Sequence, residues 1–421
     1  MSDPSTTAHD DAARSVIPTG GTCAIRQVAV SGFRTVVATE LRLGAVTALV
    51  GEAAAGKSNL LAAIALLDES GTAPTPEDAD ISGVITVEAI TTAGRVAVRY
   101  EDGTATRHGG WPIVVLPSAQ RATTIVPPAA HAGADVAAVA DAIREQAGSG
   151  ASPSSGAGRL VTALERCCER DLSGVLLLIE EPELYLRPQA QRYLYRLLHQ
   201  FAAGGNQVIY STHAPAFLNV ARLEELAVVT RDLSVGTTAH QAGALSASDG
   251  FRAMSEFDAE RSELFLADVA VLVEGRTEKL ALPHVFRALG IDIDRIGISI
   301  VECGGKANLP VFVRLCRATG VPFVVVHDRD APPDRQPIAS ERRLNERIRT
   351  LSGGENVVEL APDFEAVVGL RRHSHKPEQA WQHFHALTAE DAPADLRRVV
   401  ELTIAMRDLL GSSHDAEPAH R

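Results

Sequence analysis

The chain has 421 residues, of which 45% are hydrophobic, and its 53 acidic and 40 basic side chains give a net charge of -13. This length predicts two or three domains, because a single domain usually holds roughly 100 to 200 residues. The negative charge excludes passive binding of nucleic acid or anionic membrane by bulk charge, although it allows a local basic groove.

The cysteines and the apolar runs indicate a cytoplasmic protein. The chain has five cysteines, an odd number, and they lack C-x-x-C spacing. This argues against a disulfide framework and a zinc site, and it fits a reducing cytosol. The N-terminus is polar and acidic, and no uncharged apolar run reaches the length of about 18 residues that a membrane span needs. We therefore expect no membrane association.

The first part of the chain predicts an α/β domain over residues 21–245, after a disordered tail at 1–20. IRQVAV and VTALV are typical of strands, and VTALV ends at a glycine loop that opens the helix NLLAAIALL. ISGVITVEAI and GRVAVRY predict an antiparallel hairpin. Later, VLLLIEEPE, QAQRYLYRLLHQF and NQVIYSTHAP follow one another as strand, helix and strand, which indicates a mostly parallel sheet.

A second, smaller α/β domain is predicted at 267–375. The pattern weakens around residues 235–262, and we place a linker helix at 246–266. Strands and helices then alternate through VAVLVEG, LALPHVFRALG, ISIVE, PVFVRLCRATG, PFVVVHDRD and NVVEL. The alternation predicts a parallel sheet. Residues 376–421 are predicted to form a helical C-terminal segment.

The segment GEAAAGKS fits the pattern G-x-x-x-x-G-K-[ST] of a phosphate-binding loop. Backbone N–H groups and the helix N-terminus would cradle phosphates, Lys57 would reach the β and γ phosphates, and Ser58 would hold Mg²⁺. The alternative is a chance match, which the position between a strand and a helix makes less frequent. The candidate nucleotide-binding residues here are Gly51, Glu52, Ala53, Ala54, Ala55, Gly56, Lys57, Ser58 and Asn59.

Two further segments supply candidates for ATP hydrolysis. VLLLIEEPE places Glu180 and Glu181 at the end of an apolar strand. Glu180 would support the metal bound with the nucleotide, and Glu181 would polarise the attacking water. An acidic strand end alone is more often an ordinary loop, but after a P-loop it indicates catalysis. His213, in STHAP, is a candidate sensor of the γ-phosphate, although a lone histidine favours a structural role.

The order of these features resembles the ABC-type ATPase head of the SMC and RecF kind, a mixed sheet with helices. Ser155 and Gly156 in SPSSGAGRL would then be the signature segment, which contacts ATP bound to a partner subunit. A Gly/Ser-rich linker is the alternative. Gln120 is the candidate Q-loop residue, with Arg121 equally plausible. The resemblance implies ATP between two heads, and therefore a homodimer or higher homo-oligomer.

Three pairs of acids follow strands of the second domain. Because strand ends line the ligand crevice of an open α/β sheet, the pairs are expected to converge. Two unit charges about 4 Å apart repel by roughly 4 kcal/mol at an effective dielectric near 20, so divalent cations are the economical partners. Oxygen ligands select Mg²⁺ or Mn²⁺. Acids that cap helix N-termini are the alternative for any one pair. The pairs are Glu274 and Glu278, Asp328 and Asp330, and Asp363 and Glu365.

LVEG-x-x-E with a later D-x-D resembles the TOPRIM domain, which is Rossmann-like. An ABC-type head followed by TOPRIM resembles the OLD (overcoming lysogenization defect) family of ATP-dependent nucleases over about residues 24–376, including GKSNLL, IEEPE, STHAP, VLVEGRTEK, the GGK loop and DFE. Ala53 to Ala55 depart from the Asn-Gly-Ser/Thr-like residues usual there. The resemblance implies one Mg²⁺ or Mn²⁺ with ATP and two held by the six TOPRIM acids, with Lys376 stabilising charge near the scissile phosphate.

Candidate DNA contacts are Lys306 in the GGK loop and Arg342 and Arg343 in the segment RDAPPDRQPIASERRLNERIR. The segment has six arginines and four acids, and a solvated helix face is an equal alternative. We expect an ATP-regulated, metal-dependent DNA endonuclease. The resemblance allows phage defence or DNA repair as its setting, and a helicase-like or other defence partner. The alternative is a nucleotide-gated DNA-binding scaffold whose cleavage depends on a partner.

Overall fold

The computed structural model describes residues 24–68, 73–116, 138–139, 156–184, 186–214, 217, 224–232, 235–241, 260–369 and 383–411. The predicted tail, Gln120, Ser155, Lys376 and most of the predicted linker helix lie outside these residues. The described end of that linker, Arg261–Leu266, forms a 3-10 helix.

The first unit contains two sheets. A five-stranded antiparallel sheet has the order β2-β1-β4-β5-β6, and a six-stranded sheet has the order β11-β10-β3-β9-β8-β7. The predicted hairpin is confirmed, since β4 and β5 pair antiparallel from Ile85↔Tyr100 to Thr91↔Gly94. The strands are β1 (Ile25–Phe33), β2 (Val36–Arg42), β3 (Val46–Val50), β4 (Ile85–Thr91), β5 (Gly94–Glu101), β6 (Thr104–His108), β7 (Ile113–Leu116), β8 (Leu176–Glu180), β9 (Gln207–Thr212), β10 (Leu226–Asp232) and β11 (Gly236–Gln241).

The six-stranded sheet is parallel except for β11. Its central strands β3 and β9 are buried along their whole length, as expected for strands covered on both faces. One core joins it to the antiparallel sheet and to α1 (Lys57–Ala65). On the opposite face, α2 (Gly156–Glu169) and α3 (Pro188–Ala203) contribute to a second core. The phosphate-binding loop therefore begins at the end of a fixed central strand.

The second unit is a four-stranded parallel sheet with the order β13-β12-β14-β15. Helices α4 and α8 pack with one apolar core, and α5 and α6 contribute to another. The chain leaves β12 for β13 on one side and later returns to β14 on the other, so the crevice lies between the ends of β12 and β14. The elements are β12 (Val269–Val273), α4 (Arg276–Ala288), β13 (Ile298–Glu302), α5 (Leu309–Thr319), β14 (Phe323–Asp328), α6 (Ala339–Ser352), β15 (Val357–Leu360), α7 (Phe364–Val367) and α8 (Ala394–Gly411).

The two units share one buried apolar cluster. It includes Leu198 of α3 and Phe217 from the first unit, and Leu272 of β12 and Phe312 of α5 from the second. Phe265, in the 3-10 helix between the units, belongs to the same cluster. In the part of the chain that the structure describes, no helix is long and apolar enough to cross a membrane.

Candidate functional site

The phosphate-binding loop is held closely against neighbouring backbone. Gly51 has φ +149° and Gly56 has φ +100°, conformations that glycine adopts without steric penalty. A Cβ atom at Gly51 would lie 2.2 Å from the carbonyl oxygen of Val229, and one at Gly56 would lie 2.2 Å from Oγ1 of Thr237. The two glycines of the motif are therefore required by the packing of the loop as well as by its backbone conformation.

Lys57 begins α1 and is only 5% exposed. Its Nζ donates hydrogen bonds of 2.7 Å to the Gly51 carbonyl and 2.5 Å to the Glu52 carbonyl. Burial lowers the pKa of this ammonium to about 8, although the carboxylates of Glu181, Glu183 and Glu52 oppose the shift. The amine that the sequence assigns to phosphate binding thus lies inside the loop.

Glu181 follows β8 and lies beside His213. It has φ +46°, a conformation that residues other than glycine seldom adopt, and its N–H donates to the Ser211 carbonyl at 3.0 Å. The His213 Nε2 lies 3.2 Å from the Glu181 carboxylate. Burial, and then the charge of Lys57, lower the pKa of His213. The structure therefore brings Lys57, Glu181 and His213 together at the ends of three adjacent strands.

Glu183 is a buried acid that the sequence reasoning missed. Its Oε1 accepts hydrogen bonds from Thr212 Oγ1 at 2.7 Å and from the His213 N–H at 3.0 Å. It is 6% exposed, and burial raises its pKa. The final acid of the EEPE segment could have been noticed, because Glu183 follows the two predicted acids after a single proline. Glu183 joins the loop after β8 to the loop that carries His213.

The other candidate nucleotide-binding residues lie in the loop and on neighbouring elements. Asn59 donates from Nδ2 to Thr35 Oγ1 at 2.7 Å, on the side of the antiparallel sheet. Glu180 is the last residue of β8 and lies opposite Ser211 of β9. Gly156 is the first residue of α2. Ser58 and Ala53 to Ala55 lie in the loop and the first turn of α1.

In the second unit, the ends of β12 and β14 are joined by an acid. The Glu274 carboxylate accepts a 2.8 Å hydrogen bond from the Asp328 N–H. The Asp328 carboxylate in turn accepts a 2.8 Å hydrogen bond from the N–H of Phe364, which follows β15. Glu278, in the first turn of α4, is 8% exposed. All three acidic segments therefore meet at one edge of the sheet.

The acidic side chains at this edge are close enough to raise one another's pKa values. Burial raises the pKa of Glu274 to about 7, and the nearby charges of Glu278 and Asp330 act in the same direction. Burial also raises the pKa of Asp328 to about 7, followed by the charge of Glu274. Both carboxyl groups consequently hold protons more strongly than exposed acids do, as expected when several acids share a buried site.

Lys306 lies within this group of acids rather than on the protein surface. Its ammonium pairs with the Asp330 carboxylate, donates to the Asp328 carbonyl at 2.6 Å and lies 3.5 Å from Glu341 Oε2. The side chain is 8% exposed. Of the other DNA-binding candidates, Arg342 and Arg343 are exposed on α6.

In the third acidic pair, Asp363 caps the N-terminus of a helix. Asp363 precedes α7 and accepts a 2.9 Å hydrogen bond from the Ala366 N–H, which is the helix-capping role weighed as the alternative. Asp363 and Glu365 are both buried. The metal-binding role of this pair stays a prediction.

The donor chemistry of the edge fits Mg²⁺ or Mn²⁺, because it consists of carboxylate oxygens. Within the described ranges, no three acidic, histidine or cysteine side chains are arranged to hold a metal ion. Glu274, Asp328 and Asp330 therefore stay predicted ligands. The ammonium of Lys306 lies among these acids.

Known proteins match each part of the chain. Residues 265–330 match the family "Overcoming lysogenization defect protein-like, TOPRIM domain", and residues 160–218 match the family "AAA ATPase domain". The "OLD nuclease" of Thermus scotoductus is 36% identical over 245 residues, which cover 53% of this chain and 46% of that protein. The chain is similar to the OLD family. The resemblance found in the motifs is confirmed, and so is the predicted α/β fold class of an ATPase head with a TOPRIM domain.

Two further OLD proteins are less similar to this chain. The "Old nuclease" of Escherichia phage P2 is 29% identical over 169 residues, covering 38% of this chain and 29% of that protein. The solved C-terminal region of the Burkholderia pseudomallei OLD protein is 21% identical, with a TM-score of 0.29 and coverage of 34% of this chain and 99% of that one. This chain spans less than half the length of the two curated nucleases.

The family match falls on the acidic edge. The OLD-like TOPRIM segment, 265–330, contains Glu274, Glu278, Asp328 and Asp330, and the ATPase segment, 160–218, contains Glu181, Glu183 and His213. Residues 23–74, which include the phosphate-binding loop, match a family described as "Protein of unknown function (DUF2813)".

Proposed function

We propose that this chain is an ATP-binding and ATP-hydrolysing, divalent-metal-dependent DNA endonuclease. The observation that carries the proposal is that two hydrogen bonds join the three acidic segments. The Asp328 N–H donates to the Glu274 carboxylate, and the Phe364 N–H donates to the Asp328 carboxylate. Carboxylates kept together despite mutual repulsion are suited to cations of high charge. The two curated relatives named as OLD nucleases support the same activity.

In this proposal, Glu274, Glu278, Asp328 and Asp330 hold Mg²⁺ or Mn²⁺, with Asp363 and Glu365 at the margin. Divalent ions held there would supply an activated water and would neutralise the charge of the leaving oxygen. The protein's own part is to fix the direction of the carboxylates. Glu274 does so through the Asp328 N–H, and Asp328 does so through the Phe364 N–H. Lys376 is proposed to stabilise charge near the scissile phosphate.

The ATPase half would bind nucleotide through Lys57 and the loop amides, with Ser58 and Glu180 beside the metal. Glu181 is proposed to orient the attacking water, and the His213 ring 3.2 Å away would position it and contact the γ-phosphate. Gln120, and Ser155 with Gly156 of a second copy, would complete the site in a homodimer.

DNA is proposed to approach the TOPRIM edge along α6, where Arg342 and Arg343 are exposed. Control by ATP would then act through the apolar cluster that the two units share. The settings proposed are phage defence or DNA repair.

The activity is tested with supercoiled plasmid and the full chain. We expect nicking that requires Mg²⁺ or Mn²⁺ and stops with a chelator, and ATP turnover that is lost in Glu181→Gln while ATP binding persists. The second candidate function is a nucleotide-gated DNA-binding scaffold, favoured by the pairing of Lys306 with Asp330. DNA binding without nicking, at any divalent concentration, would favour the scaffold and contradict the nuclease.

A further inference from the structure

The loop that carries Lys306 is fixed to the end of β12. The Gly305 N–H donates to the Glu274 carbonyl at 2.7 Å, and the Cys303 N–H donates to the Val273 carbonyl at 2.9 Å. Asn308 closes the loop by donating from Nδ2 to the Cys303 carbonyl at 3.0 Å. Gly305 has φ +119°, which lets the chain turn so that Lys306 enters the acidic edge. The position of the lysine is therefore set by main-chain hydrogen bonds.

The ammonium of Lys306 has three N–H donors, and three oxygen groups lie within reach of it. They are the Asp330 carboxylate, the Asp328 carbonyl at 2.6 Å and the Glu341 carboxylate at 3.5 Å. These oxygens come from the last residue of β14, from the turn after it and from the first turn of α6. Lys306 thus joins the D-x-D segment to the helix that carries the exposed arginines.

A buried ammonium is stable only when its charge is balanced and its donors are bonded. Lys306, at 8% exposure, meets both conditions through the carboxylate of Asp330, a candidate metal ligand, together with the Asp328 carbonyl and the Glu341 carboxylate. A divalent cation bound by Asp330 would therefore meet an ammonium that is already bonded to the same carboxylate. Like charges at such a distance repel, and the water around the 41% exposed Asp330 side chain weakens this repulsion without removing it.

We propose that Lys306 is a positioning residue that serves as the internal counter-ion of the TOPRIM acids and competes with the divalent cation for Asp330. The inference rests on the proposed function only in taking these acids as the metal site. It assigns Lys306 a role different from a surface contact with DNA. Lys306 holds the acids in place when no metal is bound, and it sets the divalent concentration at which the site fills.

The test measures Mn²⁺ binding to the full chain by isothermal titration calorimetry, with Lys306→Gln as the variant. We expect Lys306→Gln to bind Mn²⁺ about tenfold more tightly than the wild type, because one competing positive charge has been removed. The matched control is Lys279→Gln, since Lys279 pairs with Glu260 rather than with the D-x-D acids. Its Mn²⁺ affinity should equal that of the wild type.

Thermal unfolding with and without Mn²⁺ covers the case in which the variant is unstable. A Lys306→Gln protein that folds only when Mn²⁺ is added would support the proposal, because the ion then replaces the ammonium. Unchanged or weaker Mn²⁺ binding by a folded variant, or failure to fold in both conditions, would overturn it. If the wild type binds no Mn²⁺, the proposed metal-dependent nuclease fails instead, which separates the two claims.

Discussion

The main-chain N–H of Asp328 donates a 2.8 Å hydrogen bond to the carboxylate of Glu274, so the end of β14 is bonded to the end of β12. The two strands are adjacent and parallel, with Leu272 opposite Val325. An acid that could have faced solvent is instead a structural partner of the strand beside it. Glu274 therefore has two roles, because it fixes the end of a strand and it is proposed to bind a cation. Two substitutions of Glu274 separate these roles.

Glu274→Gln and Glu274→Ala should both abolish nicking but differ in stability. Glutamine keeps an oxygen that accepts from the Asp328 N–H, whereas alanine leaves this N–H without its partner. A buried donor without a partner costs about 1–3 kcal/mol, so Glu274→Ala should have the lower free energy of unfolding by that amount. Urea denaturation without divalent ions measures the difference. Equal stabilities would show that the hydrogen bond contributes nothing to folding.

The raised pKa of Asp268, at the contact between the two units, predicts that the stability of the protein depends on pH. Asp268 precedes β12, and burial, followed by a hydrogen bond and charge from Glu52 of the phosphate-binding loop, raises its pKa to about 7. The folded protein therefore binds this proton more tightly than the unfolded chain, for which the ordinary value is 3.8. The contribution of Asp268 to stability is full below about pH 4 and is lost as the pH rises through 7.

Asp268→Asn should flatten this part of the profile, because asparagine does not titrate. The melting temperature of the wild type should fall more between pH 5 and pH 8 than that of the variant, measured without nucleotide or metal. Asp294→Asn, at an exposed acid in the turn before β13, is the control and should follow the wild type. A variant whose profile matches that of the wild type would mean that the Asp268 carboxyl does not carry the dependence.

Glu183 should affect ATP turnover through the loop of His213. Glu183→Ala removes the acceptor for Thr212 Oγ1 and for the His213 N–H, so His213 should lose its fixed distance from Glu181. We expect kcat for ATP to fall about tenfold or more, a loss typical of misplaced catalytic groups, with a smaller change in nucleotide affinity. Glu183→Gln keeps one acceptor oxygen and should retain more activity. Equal turnover in both variants would contradict this positioning role.

The arginines of α6 should govern the salt dependence of DNA binding. If Arg342 and Arg343 each neutralise one phosphate, replacing both with glutamine should reduce the slope of log affinity against log salt concentration by roughly 2. Arg349→Gln is the control, because Arg349 pairs with Glu359 at 2.6 Å and is engaged within the protein. An unchanged slope in the double variant would indicate that this face of α6 is only solvated.

Much of the fold follows from local pattern. The phosphate-binding loop could be predicted because the mostly apolar strand VTALV, two glycines and a helix lie in immediate succession around Lys57. The hairpin of β4 and β5 could be predicted from alternation. The TOPRIM acids could be predicted in pairs because each pair follows a strand. The family resemblance then implied that the pairs bind metal ions together.

The arrangement of the acids could not be predicted from local pattern, since it depends on strand order. Glu302 also ends a strand, β13, but this is an edge strand, and Arg261 and Arg276 lie 3.7 Å and 4.0 Å from the Glu302 carboxylate. Asp328 ends a strand next to β12 and so meets Glu274. The direction of Lys306 depends on hydrogen bonds across the chain, to Glu274 and Asp328, that no short segment encodes.

The most direct test of the central claim compares plasmid nicking by the wild type, Asp328→Asn and Asp334→Asn in Mn²⁺. Asp328 bonds to the segments after β12 and β15, whereas Asp334 is exposed in the loop before α6. If the three strand ends form the nuclease centre, Asp328→Asn should lose at least about a hundredfold in nicking rate, as expected for a metal-site carboxylate, and Asp334→Asn should match the wild type. Equal nicking by all three proteins would contradict the account.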